Sequence, residues 1–318
     1  MDIEYLLFLQ SFRDSIHDAL TPFMEWISLF GITNILLLPV FVYWCLDKRK
    51  GLFILTAWNI SMTVNALVKL VACVYRPWVR DARVLPAGDS VRTATGYSFP
   101  SGHTMMATPV YGGFALFSKR CWSRLFWIAA ILLTGFSRNY LGVHTPQDVL
   151  VGFILGGLSI YATVRLFDYL DRHPERENRI LGIIFIIGVL ILVYVTYKPY
   201  PMDYVDGKLL VDPTRAKQDA WVNIGGLLSL TAAWYMEKRW VKFSHVGCKN
   251  VKGVIFCVLG LLPLCWILNS FGALAIGWFG PYCGRLALQI VVSFYVMVFW
   301  PLVLKGVTRP GTTARSAA

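Results

Sequence analysis

Long apolar runs constrain this chain more than any other feature of its sequence. A helix that crosses a bilayer needs roughly 20 apolar residues. Hydrophobic residues make up 56% of the 318 residues and charged residues 15%, whereas a soluble domain has about 45–50% and about 25%. The apolar windows fall at 23–46, 51–75, 102–118, 122–141, 147–168, 180–197, 219–236, 251–272 and 286–304. The sequence therefore predicts an all-α, polytopic bundle of about nine transmembrane helices.

The composition argues against several other classes of protein. The excess of apolar residues disfavours a soluble enzyme, a disordered chain and a nucleic-acid-binding domain. The net charge is +12, but no basic run with interleaved aromatic residues accompanies it, so we expect no nucleic-acid partner. The seven cysteines are odd in number and form no C-x-x-C pair, which argues against a disulfide framework and a thiolate metal site. We expect neither a metal ion nor a cofactor.

The two ends of the chain differ from the apolar middle. Residues 3–20 combine apolar positions at helical spacing with several charges, which predicts an amphipathic helix lying in the membrane interface. A short soluble cap helix is the alternative. The N-terminus has no basic region and does not resemble a cleaved signal peptide. The polar tail at 308–318 is predicted to be disordered. No linker or internal repeat divides residues 1–318, so we expect a single membrane domain.

The loops between the predicted spans divide into two groups. One group, with the N-terminus, forms a surface that we call the motif face, and its loops are 76–101, 138–146, 198–218 and 273–285. The opposite surface, which we call the basic face, carries Lys48, Arg49, Lys50, Lys119, Arg120, Arg124, Lys238, Arg239, Lys242, Lys249 and Lys252. Short cytoplasmic loops are enriched in Lys and Arg. The basic face is therefore predicted to be cytoplasmic and the motif face extracytoplasmic, in a plasma or inner membrane.

Two cations mark the end of the second apolar window. Lys69 and Arg76 are seven residues apart, which predicts that both lie on one face of a helix that Pro77 ends. Two cations on one face repel each other unless an anion lies near them. In the alternative interpretation, Lys69 extends its amine to the interface and Arg76 anchors the helix end.

The third apolar window opens with the segment Pro100-Ser101-Gly102-His103. Serine is a favoured N-cap, and glycine lets a ligand approach the backbone closely. The free N–H groups of a helix N-terminus can bind an anion. An ordinary serine cap followed by a chance histidine is the alternative.

A third polar segment joins the fourth and fifth windows. Thr145 and Pro146 suit the N-cap and the first position of a helix, which places Asp148 where its carboxylate could serve a capping box. In the functional interpretation, Asp148 accepts the N–H of one ring nitrogen of His144 and leaves the other free as a nucleophile. Arg138 could simply be a favourable cation at a helix C-terminus.

Together these segments resemble the three-part signature of the type 2 phosphatidic acid phosphatase superfamily: Lys69-x6-Arg76-Pro77, Pro100-Ser101-Gly102-His103 and Ser137-Arg138-x5-His144-x3-Asp148. The signature positions match in order and in internal spacing. The resemblance covers roughly residues 60–165, within a predicted catalytic core at 51–168, and additional spans follow at 180–305. The number of spans looks more like the glucose-6-phosphatase and sphingosine-1-phosphate phosphatase branches than the six-span bacterial enzymes.

The resemblance implies a metal-independent membrane phosphatase that acts through a phosphohistidine. His144 would be the nucleophile, Asp148 would orient it, and His103 would act as general acid and then as general base. The resemblance assigns the phosphoryl oxygens to Lys69, Arg76, Ser101, Gly102 and Arg138. This agrees with the residue chemistry, because phosphoryl transfer depends mainly on positioning and on stabilising charge.

Several substrate classes fit this sequence. A lipid phosphate monoester or diphosphate in the membrane is the leading hypothesis, since the predicted site lies at the ends of spans. A soluble sugar phosphate, as in the glucose-6-phosphatase type, is the first alternative. An anion-binding transporter is the second, since charges within the membrane are common in transporters. The last four spans could shape substrate access, form the interface of a homodimer, or act separately.

Overall fold

The fold is all-α, as predicted. The computed structural model describes residues 2–33, 35–205, 207–247 and 250–308, so the predicted tail at 308–318 lies outside the described residues apart from Thr308. In the first half of the chain the helices are α1 (Asp2–Ser15), α2 (Thr21–Thr33), α3 (Leu37–Phe41, continued by a π-helical turn, Val42–Leu46), α4 (Lys48–Ala72), α5 (Pro77–Arg80), α6 (Gly102–Phe117) and α7 (Cys121–Tyr140).

The second half of the chain continues the bundle. Its helices are α8 (Pro146–Arg172), α9 (Glu177–Tyr197), α10 (Pro213–Met236), α11 (Val251–Trp266), α12 (Gly272–Phe294) and α13 (Trp300–Thr308), with π-helical turns at Glu237–Val241, Ile267–Phe271 and Tyr295–Phe299. Short 3-10 turns occur at Ser90–Thr93 and Pro174–Arg176. Two short antiparallel strands, β1 (Tyr204–Val205) and β2 (Lys208–Leu209), pair within the loop before α10.

Four described segments are long and apolar enough to cross a membrane: Lys48–Arg80, Pro146–Arg172, Pro174–Tyr197 and Val251–Thr308. The last of these is a helical hairpin. Its chain reverses at Gly280, where φ is 76° and ψ is 174°, and Tyr295 Oη donates to the carbonyl of Gly260 at 2.8 Å across the pair. The loop predicted at 273–285 is therefore helical on both sides of this turn.

The first predicted span, 23–46, is divided between α2 and α3, so the prediction of one continuous helix there is wrong. Pro39 lies in the first turn of α3. A proline has no N–H to donate, and the first turn of a helix is the place where this costs no hydrogen bond. A new helix beginning just before Pro39 is therefore the favoured local structure.

Helix α4 lies at the centre of the bundle. Of its apolar window 72% is buried inside the protein, against 28% for α8. Helix α8 approaches α6 closely at Gly156, where an added Cβ would lie 2.7 Å from Cβ of Thr108. This contact needs a glycine and packs α8 against α6 about two turns into α6 and three turns into α8.

Ion pairs join the helix ends at the basic face. Lys48 Nζ lies 2.6 Å from Glu237 Oε1, and Lys238 pairs with Glu177. The starts of α4 and α9 and the end of α10 therefore meet at one end of the bundle. The three signature segments lie at the opposite end, where α1 also docks: Arg13 Nη1 donates to the carbonyl of Tyr140 at 3.1 Å.

Candidate active site

The end of α4 differs from the sequence prediction. The helix ends at Ala72, and Cys73 adopts the left-handed conformation with φ of 48°. Lys69 and Arg76 therefore do not share one helix. Arg76 is extended, at φ −64° and ψ 152°, as expected for a residue before a proline. Both cations nevertheless line the same cavity of about 280 Å³, because the chain turns back after Cys73.

Both cations hold the loop that precedes α6. Lys69 Nζ donates to the carbonyl of Tyr97 at 3.0 Å. Arg76 donates to the carbonyls of Thr95 at 2.9 Å, Gly96 at 3.1 Å and Val143 at 3.0 Å. These contacts fix the two side chains where they enter the cavity.

The start of α6 has the predicted cap. Ser101 is fully buried, and its Oγ accepts from the Thr104 backbone N–H at 3.5 Å and from Thr104 Oγ1 at 2.9 Å. The Ser101 backbone N–H donates to the carbonyl of Asp148 at 3.0 Å. Gly102 and His103 line the cavity beside Lys69. His103 Nε2 is buried and has no hydrogen-bond partner among the described residues.

Asp148 serves both purposes that the sequence allows. Its Oδ2 accepts the Thr145 backbone N–H at 2.9 Å, while Thr145 Oγ1 accepts the Asp148 N–H at 3.4 Å, which completes a capping box at the start of α8. The same Oδ2 lies 3.3 Å from His144 Nδ1. Ser98 Oγ donates to this oxygen at 2.6 Å, a contact that the sequence did not predict.

The contacts of His144 define its tautomer. A carboxylate only accepts hydrogen bonds and a guanidinium only donates them. Nδ1 faces Asp148 and must carry the proton, while Nε2 lies 2.9 Å from Arg76 Nη1 and must accept. Burial lowers the pKa of His144, as does the Arg76 guanidinium, while Asp148 opposes the shift. The imidazole is therefore neutral at neutral pH, with the Nε2 lone pair directed towards cations.

Arg138 is not brought into the same cavity. Its fully buried side chain lines a neighbouring cavity of about 420 Å³ with Glu25 and Ser28, and it donates to Ser28 Oγ. Its Nε and Nη2 have no partner among the described residues. Thr93 lines both cavities, and the Arg138 carbonyl accepts the His144 N–H at 3.3 Å. Arg138 thus contacts the His144 loop through its backbone.

The cavity also has walls that the sequence analysis missed. They are formed by Thr93 and Thr95 before α6, by Asp219 and Asn223 of α10, and by Arg285 of α12. Asp219 and Arg285 are ionisable residues at the motif-face ends of apolar windows, which is the sequence signal that could have identified them. Among the described residues, no three His, Cys, Asp or Glu side chains are grouped as metal ligands.

Comparison with known proteins points to one family. The PAP2 superfamily model matches residues 50–172. The undecaprenyl-diphosphatase of Sulfolobus acidocaldarius is 27% identical over 121 residues, which are 37% of this chain and 56% of that protein. The phosphatidylglycerophosphatase B of Bacillus subtilis is 35% identical over 128 residues, 37% of this chain and 58% of that protein.

A third relative has a different kind of name. The bacitracin transport permease protein BcrC of Bacillus licheniformis is 28% identical over 125 residues, 39% of this chain and 61% of that protein. The chain thus spans a little over half the length of these curated relatives. No solved structure shows a significant match. The apolar helices and the two relatives named as lipid phosphatases make this an integral membrane protein. The match to the PAP2 superfamily model over residues 50–172 confirms the resemblance of the signature segments to that family.

Proposed function

We propose that this protein is a metal-independent membrane phosphatase that hydrolyses a lipid phosphate monoester or diphosphate through a phosphohistidine. The observation that carries the proposal is the setting of His144. Asp148 holds the proton on Nδ1, and Nε2 opens towards Arg76 in the cavity that Lys69 and His103 also line. A cavity that only binds an anion needs cations but no oriented neutral imidazole.

The first chemical step forms the bond between Nε2 of His144 and phosphorus. The bond between phosphorus and the lipid oxygen breaks, and that oxygen takes a proton from His103. Asp148 stabilises the positive charge that develops on the His144 ring. Arg76 Nη1, 2.9 Å from Nε2, is within reach of an oxygen on the phosphoryl group that Nε2 attacks.

In the second step, His103 takes a proton from water, and the water oxygen attacks phosphorus. The bond to Nε2 breaks and inorganic phosphate leaves. Lys69 and Arg76 neutralise the phosphoryl oxygens together with the N-terminus of α6, which contributes the Gly102 backbone N–H and the Ser101 hydroxyl. In its cap contacts the Ser101 hydroxyl only accepts hydrogen bonds, so its own proton remains available to a phosphoryl oxygen. The resemblance also assigns Arg138 to the phosphate, and its side chain would have to reach the phosphoryl group from the neighbouring cavity, past Thr93, which lines both cavities.

We also propose the membrane arrangement that fits this chemistry. The chain crosses the membrane about nine times, with the motif face extracytoplasmic and α1 in the interface. Phe8 and Phe12 of α1 are exposed. At the motif face, Asp2 pairs with Arg80 and Arg13 donates to the Tyr140 carbonyl. The relatives named for undecaprenyl diphosphate and phosphatidylglycerophosphate support a lipid substrate.

The test is phosphate release by purified protein in detergent with excess EDTA. The substrates are a prenyl diphosphate, phosphatidylglycerophosphate, phosphatidate and glucose 6-phosphate, and the variants are His144→Ala and, as a matched control, His173→Ala. His173 follows the end of α8 at the basic face, so its loss should leave activity unchanged. EDTA-resistant release that only His144→Ala abolishes supports the proposal.

Two results would contradict the proposal. Preference for glucose 6-phosphate would favour the sugar-phosphate alternative. No release from any substrate by folded protein that still binds vanadate would favour an anion-binding or transport role.

A further inference from the structure

Part of the cavity wall comes from beyond residue 172, outside the segment that matches the PAP2 superfamily. Helix α10 contributes Ala216, Asp219, Ala220, Val222 and Asn223, and α12 contributes Arg285. The charged members are Asp219 and Arg285. The C-terminal helices therefore supply the site with a cation that does not belong to the signature.

The guanidinium of Arg285 uses few of its donors. An arginine has five N–H donors, and Arg285 makes one hydrogen bond among the described residues, from Nη2 to Gln218 Oε1 at 3.3 Å. Its Nη1 lies 3.6 Å from Asp219 Oδ1, and its Nε has no partner. The side chain is only 15% exposed. Burying a guanidinium whose N–H groups lack acceptors costs free energy of folding, and an anionic ligand bound to those groups would offset that cost.

A chain of contacts links Arg285 to the proposed reaction centre. Arg76 Nη2 donates to the Thr95 carbonyl at 2.9 Å, and Thr95 Oγ1 donates to Asp219 Oδ2 at 2.6 Å. Asp219 then faces Arg285 at 3.6 Å. Asp219 thereby positions both the loop that holds Arg76 and the guanidinium of Arg285.

The cavity is lined by one cation more than Lys69 and Arg76, the two that the proposed reaction assigns to the phosphoryl oxygens in this cavity. Lys69, Arg76 and Arg285 line it, against Asp219, and both Asp219 oxygens already face donors of this protein. We propose that Arg285 is a specificity-determining residue that binds a second anionic group of the substrate, beside the phosphoryl group that His144 attacks. This inference rests on the proposed phosphatase function.

Two kinds of lipid carry a second anionic group close to the phosphoryl group that His144 would attack. In a prenyl diphosphate it is the inner phosphate, which leaves when His144 attacks the terminal phosphorus. In phosphatidylglycerophosphate it is the phosphodiester one glycerol away. Phosphatidate and a prenyl monophosphate have one phosphate and are the reference substrates.

The test compares Arg285→Gln with Arg215→Gln. Arg215 also faces Asp219, at 3.9 Å, but its side chain is 56% exposed and it is absent from the cavity lining. For Arg285→Gln we expect kcat/KM to fall about ten- to a hundredfold on substrates with two anionic groups, the effect of a lost charge-assisted hydrogen bond. On monophosphates kcat/KM should change less than about threefold. Arg215→Gln should leave both unchanged, and Arg285→Lys should restore part of the loss.

The outcomes separate this inference from the proposed function. Wild-type protein inactive on all substrates would contradict the phosphatase proposal. If the wild-type protein is active but Arg285→Gln loses kcat/KM equally on both substrate groups, or on neither, only the role of Arg285 is overturned.

Should Arg285→Gln fail to fold, Arg285→Lys is compared with the wild-type protein for inhibition of monophosphate hydrolysis by methylenediphosphonate. A raised inhibition constant supports the inference, and an unchanged one overturns it. A loss confined to the diphosphate, or to phosphatidylglycerophosphate, identifies the source of the second anion.

Discussion

Both ring nitrogens of His144 face partners whose hydrogen-bonding roles are fixed. Asp148 Oδ2 can only accept and Arg76 Nη1 can only donate. Ser98 adds a third group to this set by donating to Asp148. The nitrogen that we propose to be reactive is therefore set by neighbours on three different segments of the chain, and each of these contacts can be tested by a single substitution.

Replacing Asp148 by Asn should reduce kcat by about 10⁴-fold, as when the orienting carboxylate of a histidine becomes an amide and favours the wrong tautomer. The matched control is Thr145→Ala, which breaks the same capping box but keeps the carboxylate. Loss of the cap should cost about 1 kcal/mol of stability with little effect on kcat. Steady-state kinetics and thermal unfolding measure both. Equal losses of kcat in the two variants would mean that Asp148 acts only as a helix cap.

The pH dependence should follow the lowered pKa of His144. A lowered pKa keeps the imidazole neutral as the pH falls, so activity should be lost only below about pH 6.5, the ordinary histidine value. The alkaline limb should report loss of the proton that His103 donates, which gives a bell-shaped profile of kcat/KM. A flat profile between about pH 5 and pH 9, or an acid limb above about pH 6.5, would contradict these roles.

At the scale of secondary structure, capping and packing place the starts of α6 and α8 together. Ser101 and Thr145 cap the two helices, and the Ser101 N–H donates to the carbonyl of Asp148. Further along, Gly156 lets α8 approach α6 at Thr108. His103 and His144 lie at the starts of these helices, so we expect their relative position to depend both on the Ser101–Asp148 hydrogen bond and on how closely α8 packs against α6.

Replacing Gly156 by Leu should separate α6 from α8. Overpacking of this kind costs about 1–3 kcal/mol, and displacement of His103 should reduce kcat by at least about tenfold. Gly157→Leu is the matched control, since an added Cβ there meets nothing within 4 Å. Thermal unfolding and kinetics of the two variants give the comparison. Similar behaviour of both would show that the close approach at Gly156 does not position the site.

At the scale of the whole molecule, the bundle separates its charges between two ends. The signature residues and Arg285 gather at the motif face, while ion pairs such as Lys48–Glu237 gather at the other. Two exposed native cysteines mark these ends. Cys121 begins α7 near the basic face, and Cys283 follows the turn at Gly280 near the motif face.

The proposed orientation predicts which of these cysteines is accessible from outside the cell. A membrane-impermeant maleimide applied to intact cells should label Cys283 and not Cys121, whereas permeabilised cells should show both. The variants Cys283→Ser and Cys121→Ser assign the labelled sites. Labelling of Cys121 alone in intact cells would place the motif face in the cytoplasm, against the distribution of Lys and Arg.

Local patterns account for what was predictable. The all-α class followed from apolar windows, and the caps by Ser101 and Thr145 and the pairing of His144 with Asp148 followed from spacings of up to four residues. The shared helix for Lys69 and Arg76 was wrong, because the left-handed turn at Cys73 ends α4 before Pro77 can. A left-handed non-glycine residue carries no reliable local signal.

The sequence by itself determined where most of the helices begin, which end of the bundle bears the signature and which family residues 50–172 resemble. Only the tertiary structure decided which side chains share the cavity. It placed Arg138 in the neighbouring cavity and brought Asp219 and Arg285 to the wall beside Arg76. The physical reason is range: a helix start depends on groups within one turn, whereas a cavity wall depends on packing between helices far apart in the chain, and residue spacing does not encode that packing.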